Sequence, residues 1–550
     1  MEKLRDVAIG VSVAVVVGVA LCLAGYTLIH RLSDDEMKGE ASKLVDEAKQ
    51  KDAEFKSAYS AEADAHEKEI LRVKRSLERS AARKERMRIA RTRILADMRI
   101  SPVRYILVVV LILSIIGGLI GVNYINFNTQ PVYAEGQAGG EYTMVINGYE
   151  WGPGVDKLIL KLDGKVKASS LEKATFDVAV SYQGWMGASN GKRDVKAMYL
   201  CDKDGNKVSA SKSEYVALEM DVHPDQQATN PFYYDFMSGV NTWGSPYSYT
   251  VTLASGSELV VDGKIYTSLK ITEMAQRVSP DADVFNMYTK EFEGITLSYA
   301  AYEPKDLERD GEKNALIIWL HGAGEGGTDP YITILGNEVT ELAKEEVQKH
   351  FNGKGAYVLA PQSPTMWMNS GDGEYTESGH SMYTESLMAL IKAYVAEHSD
   401  IDTSRIIIGG CSNGGYMTMN MIMTYPDYFA AAYPVCEAYR DEWITDAKLA
   451  GIKDMPIWFT HAVADPTVAI ADYTDATYAR LIDMGASNVH YSRFSDVSGK
   501  LADGSNYTYN GHWSWIYTLN NECRLDFNGA PVTIGSEEVT IWQWLAAQSK

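Results

Sequence analysis

The chain has no C-x-x-C pair and only five cysteines in 550 residues, namely Cys22, Cys201, Cys411, Cys436 and Cys523. So few thiols exclude a disulfide scaffold and a thiolate zinc site, and the expectation is buried free thiols rather than a Cys411–Cys436 bridge. No propeller-like repeat occurs, which removes the radial architectures. Residues 31–101 lack proline altogether and hold one glycine, Gly39. With their many helix formers they predict one long helix, on the order of 100 Å. Basic residues are also scarce: Lys and Arg number 52 against 73 Asp and Glu, a net charge of −21. The deficit is uneven, with 21 basic against 17 acidic residues before position 135 and 31 against 56 after it. An acidic main portion argues against nucleic acid as partner and suits a soluble exterior enzyme.

Two apolar runs are present, from Val7 to Ile29 and from Tyr105 to Val122. Each reaches the length needed to span a bilayer. The intervening segment ends in the basic run Arg83–Arg93, which by the positive-inside rule is cytoplasmic. Residues 1–134 therefore read as a helical membrane hairpin, with spans 7–29 and 105–122 and a cytoplasmic helical loop 30–104. Everything after the second span would lie outside the cell membrane. The second run also reads as a signal peptide cleaved near Ala134, which would release the rest as a secreted protein.

From 135 to 285 the texture is alternating. Runs such as Lys157–Leu162, Thr175–Val180, Val195–Leu200 and Tyr247–Leu253 are punctuated by Asp163-Gly164, Asp204-Gly205 and Asp262-Gly263. Period-two alternation with such turns predicts an all-β immunoglobulin-like sandwich. Its aromatic patch, Phe232 to Phe236 with Trp243 and Tyr247, suits either sugar rings or a domain interface. From 286 to 550 strand signals at 294–302, 315–320, 356–360, 405–409 and 456–460 alternate with helical runs at 382–398 and 472–484. That order predicts a mostly parallel sheet with helices on both faces.

The string Gly410-Cys411-Ser412-Asn413-Gly414 sits between an apolar strand and a helix-like run. A G-x-S-x-G there makes a sharp strand-to-helix turn that lifts the serine hydroxyl out of the sheet. A second copy, Gly187 to Gly191, lacks that context, so Ser189 reads as a loop serine. A catalytic serine needs a base and an acid, in the chain order Ser, Asp, His. Asp465, in the loop after the strand at 456–460, and His512, in Asn510-Gly511-His512-Trp513, fit that order, with Asp472 and Asp496 as alternative acids. His461 reads as a structural histidine. Oxyanion donors are expected from the amide of Asn413 and from the turn after Leu320, at Ala323 or Gly324. That turn also scores as G-x-G-x-x-G, but Asp329-Pro330 interrupts the helix a dinucleotide would need. Nothing requires a metal or cofactor.

The strings LIIWLHGAGEGGTD, YVLAPQSPTMW, SRIIIGGCSNGGYM, MPIWFTHAVADPTV and the late GHWSW resemble bacterial serine esterases with an N-terminal immunoglobulin-like domain and an α/β-hydrolase domain. These are related to feruloyl and acetylxylan esterases and to polyhydroxybutyrate depolymerases, and fall under the prolyl-oligopeptidase-family hydrolases. The resemblance implies Ser412 as nucleophile, Asp465 as acid and His512 as base, with Gln362, Trp367, Glu437 and Trp513 toward the substrate cleft. Glu437 departs from the pattern, since relatives have glycine nearby, and 495–510 and 522–538 look inserted. The expected activity is cleavage of carboxylic esters, polysaccharide-linked acetyl or feruloyl esters included, through an acyl-enzyme. The competing readings are a prolyl-oligopeptidase-like peptidase and a non-catalytic surface adhesion or scaffold protein.

Overall fold

The computed structural model describes Gln50 and residues 136–550, apart from 306, 308–311, 502 and 503. The expected spans 7–29 and 105–122 and nearly all of the helical segment between them lie outside the described residues. Among the described residues no helix is long and apolar enough to cross a membrane.

Residues 137–278 form two facing sheets. One orders the strands 137–138, 268–271, 247–253, 176–184 and 187–193; the other centres on Gly152–Lys167, flanked by Gly140–Tyr149 and Lys212–Met220. Along Leu160 to Lys167 every second residue is buried and the others are exposed, as a half-buried strand requires. Val178, Val180, Leu218, Val251 and Ile271 meet between the sheets. Ser189 is not in a loop: it lies on the strand Gly187–Arg193, paired with Phe176–Gly184. Gly187 serves the hairpin turn there and Gly191 pairs with Val180 in mid-strand, which the pentapeptide alone does not reveal.

The second sheet has eight strands: β1 (Asn286–Phe292), β2 (Ile295–Tyr302), β3 (Asn314–Leu320), β4 (Tyr357–Gln362), β5 (Ile401–Cys411), β6 (Ala431–Val435), β7 (Ile457–Ala462) and β8 (Val489–Phe494). Their spatial order is β1-β2-β4-β3-β5-β6-β7-β8. The pairings are antiparallel at β1–β2 and β2–β4 and parallel elsewhere. Strands β3, β4, β6 and β7 are buried along their whole length, because both faces of a parallel sheet are covered. Helices α1 (Thr384–Glu397) and α2 (Asn413–Thr424) pack with Leu316, Ile318 and Leu320 on one face. Trp319, Tyr433, Trp458 and Trp542 pack on the other, in a core continuous with the sandwich. Met417, Met419, Met421 and Met423 are all buried on α2, so their period of two marks a helix enclosed on every side rather than a strand.

Four cysteines, Cys201, Cys411, Cys436 and Cys523, are buried free thiols. Asp329 and Pro330 do not break a helix; they start one. The Asp329 side chain accepts from the Tyr331 amide and Pro330 takes the first helical position of Pro330–Gly336, where its missing N–H costs nothing.

Candidate active site

The site collects at the carboxyl ends of β3, β5, β7 and β8, where loops leave a parallel sheet. Ser412 follows β5 and precedes α2, with φ 54° and ψ −113°. A non-glycine residue held there is strained. Glycine is required around it by close approach. A Cβ on Gly414 would stand 1.9 Å from the Leu320 carbonyl oxygen, and one on Gly415 2.7 Å from Glu437 Cα. The elbow is thus pressed directly against the turn after β3. The Ser412 hydroxyl has no hydrogen-bond partner among the described residues.

Asp465 leaves β7 in a loop that wraps its own carboxylate. Oδ1 accepts the amides of Thr467 at 2.7 Å and Val468 at 2.9 Å. Oδ2 lies 2.7 Å from His512 Nδ1 and 2.9 Å from His461 Nε2. Burial alone would raise this carboxyl, but the hydrogen bonds and charge of His461 and His512 outweigh it and hold it well below the usual carboxylate range. His512 is brought in by Gly511, where a Cβ would meet Ala464 backbone atoms at 2.4 Å. With Nδ1 committed to Asp465, His512 Nε2 carries no partner among the described residues.

Cys436 ties the two halves together. Cys436 Sγ, an Asp465 carboxylate oxygen and a His512 ring nitrogen all lie within 4.8 Å of one another. The Ser412 amide donates to Val435, the residue before Cys436, and the Ala438 amide donates back to Ser412. Burial pushes the Cys436 thiol well up, so it fills space as a neutral group.

The turn after β3 supplies the remaining polarity. Gly322 is extended and Ala323–Glu325 make one turn of 3-10 helix. The amides of Ala323, Gly324 and Asn413 have no hydrogen-bond partner among the described residues. Asn413 opens α2, where the first N–H groups are unpaired by geometry. Its side-chain oxygen accepts the Trp367 amide at 2.6 Å.

Of the four residues expected toward the cleft, Gln362, Trp367 and Glu437 are enclosed and Trp513 is half-buried. Gln362 and Trp367 are fully enclosed, Gln362 Nε2 donating to the Glu325 carbonyl at 2.9 Å and Trp367 packing 5.0 Å from the His321 ring. They brace the turn from behind, because the turn itself occupies the space they would face. Glu437 is fully buried too, its carboxyl accepting from the Tyr439 amide at 2.8 Å and contacting Thr474. Trp513 is half-buried beside Tyr509 and Trp515, next to His512.

Sequence reasoning missed the part played by the sandwich. Asn241 Nδ2 donates to Glu325 Oε1 at 3.0 Å, and Trp243 Nε1 donates to Asp329 Oδ2 at 2.7 Å. The 495–510 insertion carries a short hairpin, and its Tyr507 and Tyr509 hydroxyls reach Asp225 at 2.6 Å and Glu150 at 2.5 Å. The sandwich therefore holds both the turn after β3 and the segment leading into His512. The aromatic patch divides accordingly: Phe232 and Trp243 pack at the interface, while Tyr234 and Phe236 stay exposed. No pattern in either segment signals these contacts, since each partner is an ordinary surface residue type.

Glu325 gives a pH test. Burial pushes its carboxyl up to about 7. The folded chain keeps this proton where the unfolded chain has lost it, so the group's contribution falls as pH rises from the ordinary carboxylate value to about 7 and is flat above. Glu325→Gln removes that penalty. It is expected to be more stable than the parent at pH 8, by up to about 3 kcal/mol, and no more stable at pH 4. Calorimetric Tm at the two pH values checks it.

Comparison with known proteins agrees with this architecture. Residues 141–267 match the esterase Ig-like N-terminal domain and residues 307–502 match the phospholipase/carboxylesterase family. The solved structure of a thermostable esterase is 25% identical, with a TM-score of 0.58 over 74% of this chain and 100% of that one. A probable acetylxylan esterase A of Neosartorya fischeri is 31% identical over 140 residues, which is 25% of this chain and 33% of the relative. An uncharacterized secreted protein of Arthroderma benhamiae is 26% identical over 240 residues, 38% of this chain and 24% of its own length. The chain thus spans a third or less of the length of these curated relatives.

Proposed function

With an esterase-type immunoglobulin-like domain at 141–267 and a phospholipase/carboxylesterase-family domain at 307–502, we propose that this chain is a serine esterase whose triad is Ser412, His512 and Asp465. The observation that carries the reading is the 2.7 Å bond from His512 Nδ1 to an enclosed, ionised Asp465. That bond leaves Nε2 with its lone pair free, and the serine is held at a strained elbow after β5.

In the reaction His512 Nε2 takes the Ser412 proton as Oγ attacks the ester carbonyl carbon. The carbonyl oxygen becomes an alkoxide, met by the amides of Asn413 and of Ala323 or Gly324. Collapse expels the alcohol, which receives its proton from His512, and an acyl-enzyme remains. Water activated by His512 then releases the acid and restores Ser412. Asp465 keeps the imidazole in the required tautomer and balances its transient charge. The domain division at about 134 and 285 follows from the same reading.

Acetyl esters carried by a polysaccharide are the favoured substrates, feruloyl esters the next. The acetylxylan esterase relative supports the first. So does a platform at two hairpin tips of the sandwich, where Trp185, 75% exposed, lies 4.6 Å from the Phe236 ring. Tyr234 of that platform reaches the position a Gly324 Cβ would contact, so a sugar chain stacked there lies beside the oxyanion turn. The two apolar N-terminal runs and the basic segment between them support anchoring in the cell membrane with this unit outside.

The test is a panel of acetyl, butyryl and feruloyl esters and a proline-containing amide, with acetylated xylan beside p-nitrophenyl acetate. Acetyl esters should give the highest kcat/KM and the amide negligible turnover; preference for the amide would contradict the reading. Trp185→Ala should raise KM for acetylated xylan by roughly threefold to tenfold while leaving p-nitrophenyl acetate kinetics in place.

A further inference from the structure

A Ser-His-Asp triad needs one imidazole on its acid, and Asp465 has two. His461 Nε2 lies 2.9 Å from the same Oδ2 that holds His512. His461 is fully buried, and its other nitrogen, Nδ1, is 2.9 Å from Thr474 Oγ1. That hydroxyl is 3.3 Å from Glu437 Oε1, and Glu437 Oε2 accepts the Tyr439 amide. An unbroken polar line therefore runs Glu437, Thr474, His461, Asp465, His512.

Counting protons along it leaves two arrangements. Asp465 is ionised and only accepts, so His461 Nε2 carries a hydrogen. Thr474 has a single hydroxyl proton, which cannot serve both neighbours. If it points to His461 Nδ1, Glu437 Oε1 faces a lone pair and must be protonated. If it points to an ionised Glu437, His461 Nδ1 faces a lone pair and His461 must carry a second proton. Both arrangements hold the same single extra proton, at opposite ends of Thr474.

We propose that Glu437, Thr474 and His461 form a one-proton line behind Asp465, which makes His461 a positioning residue that keeps the acid ionised and aimed at His512. The proposal rests on the triad reading above. With His461 fixed as an Nε2 donor, Asp465 is satisfied by four N–H groups and cannot rotate without losing two imidazole bonds at once. Burial pushes the Glu437 carboxyl up to about 8, so the extra proton rests on Glu437 at neutral pH.

The groups facing Glu437 do not displace that proton. Cys436 and the phenols of Tyr473 and Tyr491 are all shifted upward by burial and stay neutral. Asp441 pairs with Arg480 at 2.8 Å, and Arg440 is turned to Glu377 and Asp472. The backbone of Gly415, at the start of α2, closes the remaining side.

The experiment measures kcat and KM for p-nitrophenyl acetate from pH 6 to 9.5, with kcat normalised to sites titrated by a fluorophosphonate. The variants are Glu437→Gln, His461→Leu and His461→Gln. The parent should lose kcat several-fold around pH 8 with KM unchanged, as the line loses its proton. In Glu437→Gln, whose amide donates to Thr474 without titrating, that alkaline decline should vanish. His461→Leu should lower kcat about tenfold to a hundredfold with KM within twofold, and His461→Gln should recover most of it by donating to Asp465. An alkaline decline that persists unchanged in Glu437→Gln overturns the proposal, as does a His461→Leu enzyme with parental kcat per titrated site and only a lower Tm. A parent that neither labels nor turns over ester overturns the triad reading itself, which separates the two failures.

Discussion

Replacing Ser412 by alanine should lower kcat for p-nitrophenyl acetate by about 10⁴–10⁶ while leaving the fold in place. The size of the effect follows from what the side chain does and does not touch. Its hydroxyl makes no hydrogen bond among the described residues, so its removal takes nothing from the packing around it. The elbow's shape is held instead by backbone: the Ser412 amide on Val435 at 2.9 Å, the Tyr416 amide on Ser412 at 2.9 Å, and Gly414 against Leu320. Alanine meets the same φ and ψ as serine, and Tm should move by no more than a few degrees. Activity that survives the change would mean that the reacting group lies elsewhere. Residual turnover above the uncatalysed rate is still expected, because the free amides of Asn413, Ala323 and Gly324 remain in place.

Asp465→Asn should cost about 10³–10⁴ in kcat, and unlike the first variant it should also destabilise the protein. The carboxylate takes four N–H donors, two from backbone and two from imidazoles. An amide in its place turns one acceptor oxygen into a donor. If the nitrogen faces the imidazoles, His512 must present a lone pair at Nδ1 and a hydrogen at Nε2, the tautomer that cannot accept the Ser412 proton. If it faces Thr467 and Val468, two backbone N–H groups lose their partner. Either choice strands buried polar groups, at a cost of about 1–3 kcal/mol each. Thermal unfolding beside steady-state kinetics reads both effects. A variant with full stability and parental kcat would show that Asp465 does not orient the base.

The alternation of Leu160 to Lys167 and the apolar run before Ser412 were legible because they are periodic and local. A strand covered on one face must alternate, and one covered on both must be apolar throughout. The proposed triad was singled out for a different reason: the loops that carry Ser412, Asp465 and His512 each follow a strand in a fixed chain order. What remained hidden depends on contacts between distant segments. Nothing near Glu325 announces that Asn241 of the sandwich will reach it, or that Tyr509 will meet Glu150. Glu437 was visible as a departure, but its carboxyl is enclosed behind Asp465, because α2 and the segment of Thr474 close over it. Ser189 shows the converse hazard, a nucleophile pentapeptide spent on a sandwich hairpin.

The central claim is that one serine of two similar pentapeptides becomes covalently acylated. Labelling the purified protein with a fluorophosphonate, followed by mass mapping of the modified peptide, tests it most directly. The account predicts one equivalent of label on the peptide containing Ser412, abolished by Ser412→Ala, and none on the peptide containing Ser189. Label on Ser189, or no label on a protein that still cleaves esters, would contradict it.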